Sequence, residues 1–157
     1  MKTRDKIKLA ETVRQNNERN VREWEESRKI RGVLVDVETG EAKEAIIEKS
    51  LDSYYEVLNC RCIDIAHRAI CGKPFDIICD DEARLVENPI PSAVNNRGEV
   101  DLCGNLFIVK FDGCDDVKSL SSAEVSFILK NVFPAMIERQ NARRAITVVR
   151  NVGYCRR

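Results

Sequence analysis

The chain has one histidine, one tryptophan, 6% aromatic residues and no net charge, and each shortage narrows what it can do. With a single imidazole, Cys-His or Ser-His catalysis would have to run through His67. Twenty-six basic against 26 acidic groups disfavour both a global DNA mimic and a strongly basic nucleic-acid binder. No apolar run approaches the roughly 18 residues that cross a bilayer. The start, Met1-Lys2-Thr3-Arg4-Asp5-Lys6, is charged where a signal peptide would be apolar, so a cytoplasmic protein is expected. Gly98, Gly104 and Gly113 stand alone, so neither a dinucleotide fingerprint nor a nucleotide-triphosphate loop can be written. No cofactor is expected.

What is present is a length of 157 residues, enough for one ordinary domain, with 43% hydrophobic and 33% charged residues. The seven cysteines, at 60, 62, 71, 79, 103, 114 and 155, are odd in number and lack a secretion signal, which fits reduced thiols better than a disulfide framework. Charge is uneven. Residues 1–30 carry nine basic and six acidic groups, net +3; residues 31–130 carry eleven and nineteen, net −8; residues 131–157 carry six and one, net +5.

The first 30 residues, free of Gly and Pro, read as one long charged helix preceding a single α+β domain at 31–157 with a basic tail. The helix has a thin apolar stripe. Ile7, Ala10, Val21 and Trp24 fit heptad positions, but Arg14 and Asn17 interrupt the seam, so the helix either lies on the acidic body through Val13, Val21 and Trp24 or projects toward a partner.

From Arg31 the period becomes that of strands: Val33-Leu34-Val35-Asp36-Val37 and Ala45-Ile46-Ile47 flank Glu38-Thr39-Gly40-Glu41 as a hairpin. Leu51, Tyr54, Tyr55 and Leu58 share a helical face behind the cap Ser50. Cys62–His67 and Pro74–Cys79 are expected to pair antiparallel across the turn Cys71-Gly72-Lys73-Pro74. Residues 80–104 read as a long connection with room for short elements such as Ala83-Arg84-Leu85-Val86, and Leu106–Phe111 as a strand. Ser121 and Glu124 form a capping box, with Leu120 and Val125 as its staple. The helix it starts is expected near 122–141, burying Val125, Ile128, Leu129, Val132 and Met136 and kinked at Pro134. Ala145–Val149 returns to strand. The whole is expected to be a mostly antiparallel sheet, strands near 33, 45, 62, 75, 106 and 146, packed by two or three helices, with Val35, Ile65, Ile77, Phe107 and Ile128 as core anchors.

The candidate sites are weak one by one. Cys60-Arg61-Cys62 with His67 lacks the spacing of a zinc site, and burial of small thiols explains it better. Asp76 with Asp80-Asp81-Glu82 offers clustered oxygens, but a solvated turn is the simpler reading, and Asp112-Gly113-Cys114-Asp115-Asp116 lacks the alternation of an EF-hand. Arg139, Arg143, Arg144, Arg150, Arg156 and Arg157, joined by the basic N-terminal helix, can neutralise phosphates, yet only Phe133 and Tyr154 could stack bases there.

The succession Tyr54-Tyr55-Glu56-Val57-Leu58, Cys62-Ile63-Asp64-Ile65, Gly72-Lys73-Pro74-Phe75-Asp76-Ile77-Ile78-Cys79-Asp80-Asp81-Glu82, Gly104-Asn105-Leu106-Phe107-Ile108-Val109 and Ser119-Leu120-Ser121 resembles a domain-of-unknown-function family over about residues 31–132. Its members are small proteins of phages, plasmids and conjugative elements of gut Gram-positive bacteria. The resemblance implies an accessory protein that binds a host or defence-system protein, counter-defence against a CRISPR effector being one such role. It carries over no catalytic residue. The expected function is therefore non-enzymatic protein binding, through Val13, Val21, Trp24, Asp80, Asp81 and Glu82. The alternatives are a nucleic-acid module using the arginines above and a metal or thiol site at Cys60, Cys62 and His67. No membrane association is expected.

Overall fold

A computed structural model of the chain describes residues 15–22, 27–111, 116–139 and 142–154. Residues 15–22 form a helix, α1, in which every residue is exposed. Val13 and Trp24 lie outside the described residues, and the expected helix does not run to residue 30, because Lys29 and Ile30 already belong to the first strand. Ten strands and two further helices follow: β1 (Lys29–Asp36), β2 (Glu41–Glu48), α2 (Leu51–Leu58), β3 (Ile63–Ile70), β4 (Lys73–Asp80), β5 (Pro91–Val94), β6 (Val100–Cys103), β7 (Leu106–Lys110), α3 (Ser122–Leu129), β8 (Val132–Arg139), β9 (Ala142–Val149) and β10 (Val152–Tyr154).

The local signals explain most of these elements. Ser50 caps α2 by accepting a hydrogen bond from the Ser53 N–H, and Asn59 ends it in the left-handed region. Ser121 and Glu124 close the expected capping box on α3, and Leu120 and Val125 are buried in one cluster beside it. Cys71 and Gly72, both at positive φ, turn β3 back onto β4, and the two pair antiparallel from Ile63↔Asp80 to Ile70↔Lys73.

Two sheets result. One has six strands in the order β10-β3-β4-β7-β1-β2, the other four in the order β6-β5-β9-β8; every pairing is antiparallel except β5 with β9. Apolar residues run almost without interruption through β4 and β7, because the large sheet is covered on both faces. On one face Tyr54 and Leu58 of α2 cluster with Ile30, Leu34, Ile78 and Phe107. On the other, Val125 and Ile128 of α3 and Ala93 and Val149 of the small sheet cluster with Val33, Val35, Phe75, Ile77 and Ile108. This is the expected α+β architecture.

Three expectations change. The helix near 122–141 ends at Leu129, and Val132–Arg139 is a strand; Met136, expected on a buried helical face, is 62% exposed. Pro134 does not kink a helix but sits on an outer strand, where a missing N–H is tolerated. The stretch 80–104 does hold short elements, but they are β5 and β6, and residues 83–86 form a turn. Val35, Ile77, Phe107 and Ile128 are buried as expected, but Ile65 is 36% exposed, since Ile63 is the residue of β3 that packs against the α2 cluster.

Candidate protein-binding surface

The acidic stretch at the end of β4 is a built turn. Asp80 closes it: its Oδ1 accepts the Glu82 N–H at 2.9 Å and its carbonyl accepts the Ala83 N–H at 3.2 Å, while the Leu85 N–H reaches the Glu82 carbonyl at 3.0 Å. Ala83 is buried, and the Arg84 guanidinium donates to the carbonyls of Val100 and Asp101, fastening the turn to β6. Arg61 pairs with Glu82 at 3.1 Å across the surface. Anchored at Ala83 and Arg84, the chain has its next two apolar side chains directed outward: Leu85 is 82% exposed and Val86 55%.

Cavities flank these residues on both sides. One, of about 320 Å³, is lined by Asp64, Cys79, Asp81, Arg84, Leu85 and Cys103 among others. The second, of about 160 Å³, lies against Leu58, Val86, Ile90 and Asn105. Asn105 is buried and ties three elements together: its Oδ1 accepts the Val37 N–H at 2.8 Å, and its Nδ2 donates to the Leu58 carbonyl at 3.4 Å. The surface thus combines two exposed aliphatic side chains with a fringe of carboxylates, above a turn fastened to β6 by Arg84. Asp80, Asp81 and Glu82 were readable as candidates from the sequence. Leu85 and Val86 were not, although two aliphatic residues in an otherwise polar stretch were a signal.

Three of the described thiols are held above the ordinary range of a cysteine. Burial pushes Cys79 up to about 12, its Sγ lying 3.6 Å from the Asp64 carbonyl. Burial also raises Cys60, helped by Asp80, and raises Cys103 despite the opposing Arg84. The site at Cys60, Cys62 and His67 is not assembled. Five extended residues, about 16 Å, separate Cys62 from His67. The His67 Nδ1 contacts Oδ1 of the buried Asp76, its cross-strand neighbour, and its ring meets Phe111 edge-on at 5.8 Å. Among the described residues no group of three or more His, Cys, Asp or Glu side chains is placed to hold a metal.

The candidate arginines are drawn into the fold. Arg143 pairs with Glu138 at 3.2 Å, and Arg144 donates to the carbonyls of Val37 and Glu38, holding β9 to the β1–β2 turn. Arg150 lies over the Phe133 ring at 4.1 Å. Arg139 ends β8, and Arg156 and Arg157 lie outside the described residues. Of the three apolar positions expected on the N-terminal helix, Val21 is described and is 54% exposed. Among the described residues no helix is long and apolar enough to cross a membrane.

No curated protein and no solved structure matches the chain. A family match spans both faces of the large sheet and the acidic turn: residues 30–132 match the family described as Domain of unknown function (DUF3846), and the chain belongs to that family.

Proposed function

We propose that this chain is a non-enzymatic accessory protein of a phage or other mobile element that acts by binding another protein through the turn Asp81–Val86. The observation that carries the reading is the exposure of Leu85 and Val86 on a turn anchored beneath them by Ala83 and Arg84, beside Asp81 and Glu82. Exposed aliphatic side chains ringed by charge are characteristic of docking surfaces. The carboxylates favour a partner with a basic rim around an apolar centre. A host or defence-system protein, such as a CRISPR effector, is the partner class that fits an accessory protein of this kind, and the reading needs no cofactor and places the protein in the bacterial cytoplasm. Arg144, which donates to the carbonyls of Val37 and Glu38, supports the nucleic-acid alternative less.

The test is affinity capture from host lysate with and without nuclease, comparing the native chain with Leu85→Asp/Val86→Asp. A stoichiometric protein that survives nuclease and is lost with the double substitution supports the reading. Capture that disappears with nuclease, or that ignores both substitutions, refutes it.

A further inference from the structure

β2 is an outer strand of the large sheet, and only one of its edges is held, by β1. Which backbone groups face outward follows from register. The Lys49 N–H donates to the Arg28 carbonyl at 2.5 Å, immediately beyond the pair Lys29↔Glu48, so the odd-numbered residues of β2 exchange their hydrogen bonds with β1. The even-numbered residues Ala42, Glu44, Ile46 and Glu48 therefore turn N–H and C=O away from the sheet. Among the described residues no strand takes up this edge, and of these carbonyls Glu48 accepts the Ser50 N–H at 2.9 Å. The outer strand of the small sheet, β8, carries Pro134 and so lacks a complete row of donors. β2 has no proline, and Ile46 stands 56% exposed on it.

Such an edge accepts a strand. Which strand fits is decided by charge. Two copies pairing β2 antiparallel about a two-fold axis must match outward residues with outward residues. Centring the axis on Glu44 sets that carboxylate opposite itself, and centring it on Ile46 sets Glu44 opposite Glu48; like charges directly opposite are destabilising. Centring it on Ala45 avoids both. Glu44 then meets Ile46 of the second copy, Ala42 meets Glu48, Lys43 lays its aliphatic stem beside Ile47, and Glu41 meets Lys49, each contact made twice. The pair on the axis is the closely spaced, non-hydrogen-bonded kind, for which alanine is small enough. Lys49, which holds Asp116 at 2.8 Å, would share its charge between the two carboxylates.

We propose that β2 is a self-association edge, two copies joining β2 to β2 antiparallel about Ala45 into one continuous sheet. The proposal is independent of the binding surface at Asp81–Val86.

Light scattering on the full chain, coupled to size exclusion over a dilution series, tests it. The native protein is expected at twice the chain mass of 17.9 kDa. Ile46→Pro removes an outward donor and leaves the bonds to β1 in place, so it is expected at 17.9 kDa with an unchanged circular-dichroism spectrum. Glu41→Lys places two lysines opposite each other and is expected to weaken the dimer severalfold. A monomeric native chain overturns the proposal, as does a folded Ile46→Pro protein that remains dimeric. Should Ile46→Pro fail to fold, an unchanged dissociation constant for Glu41→Lys overturns it.

Discussion

Replacing Asn105 with alanine is the sharpest test of how the binding surface is supported. The Asn105 side chain lies between the end of β1, the end of α2 and the start of β7, and it satisfies the Val37 N–H at 2.8 Å and the Leu58 carbonyl at 3.4 Å. Val37 is itself buried, and water reaches its N–H only through the cavity of about 160 Å³ that Val37 and Asn105 line. An unsatisfied buried donor costs about 1–3 kcal/mol, and the longer bond to Leu58 adds about 0.5–1 kcal/mol, for a total of about 2–4 kcal/mol. With a urea dependence of about 2 kcal/mol per molar, the unfolding midpoint should fall by about 1–2 M. Equilibrium urea unfolding followed by circular dichroism reads this directly. A midpoint within about 0.2 M of the native value would refute the reasoning, since it would mean that Val37 finds another acceptor.

Four further outcomes follow from the packing. A Cβ on Gly32 would lie 2.5 Å from the Ile108 carbonyl and 2.8 Å from the Phe107 ring, so Gly32→Ala should cost about 1–3 kcal/mol and lower the melting temperature measured by calorimetry. Among the described residues the buried Tyr54 hydroxyl has no hydrogen-bond partner, and Tyr54→Phe should raise stability by about 1 kcal/mol in the same assay; a loss would show that the hydroxyl is satisfied. Cys79 is raised in the folded chain to about 12 from an ordinary value of 9.0. The unfolded thiol therefore ionises first as pH climbs, and the native protein should lose stability between those two values relative to Cys79→Ala. In iodoacetamide labelling followed by mass spectrometry, the exposed Cys62 and Cys71 should react well before Cys79 and Cys103.

Local chemistry in the sequence announced much of this fold, and tertiary context decided the rest. The capping box at Ser121, the cap at Ser50 and the Cys71-Gly72 turn each depend on a few adjacent residues, and all three are found where expected. The run after Asn131 misled because Val132 and Met136 continue a helical period from Val125, whereas the Asn131 carbonyl accepts the Arg150 N–H and starts a strand pair instead. That bond also fixes the parity of β8, turning Pro134 toward the outer edge where its missing N–H is harmless. The pairing of His67 with Asp76 follows from counting outward from the Cys71-Gly72 turn, a step that needs the hairpin register and not only the strands. The acidic residues at 80–82 were visible from composition alone. The exposure of Leu85 and Val86 was not, because it depends on Arg84 reaching β6 residues more than a dozen positions away.

The central claim, that the Asp81–Val86 turn binds a protein, is tested most directly by titrating the partner captured from host lysate against the native chain and Leu85→Asp/Val86→Asp. The account predicts that the double substitution leaves the melting temperature unchanged and weakens binding at least about tenfold, the effect of losing some 1.4 kcal/mol at an interface centre. Equal affinity of the two proteins, with both folded, would contradict it.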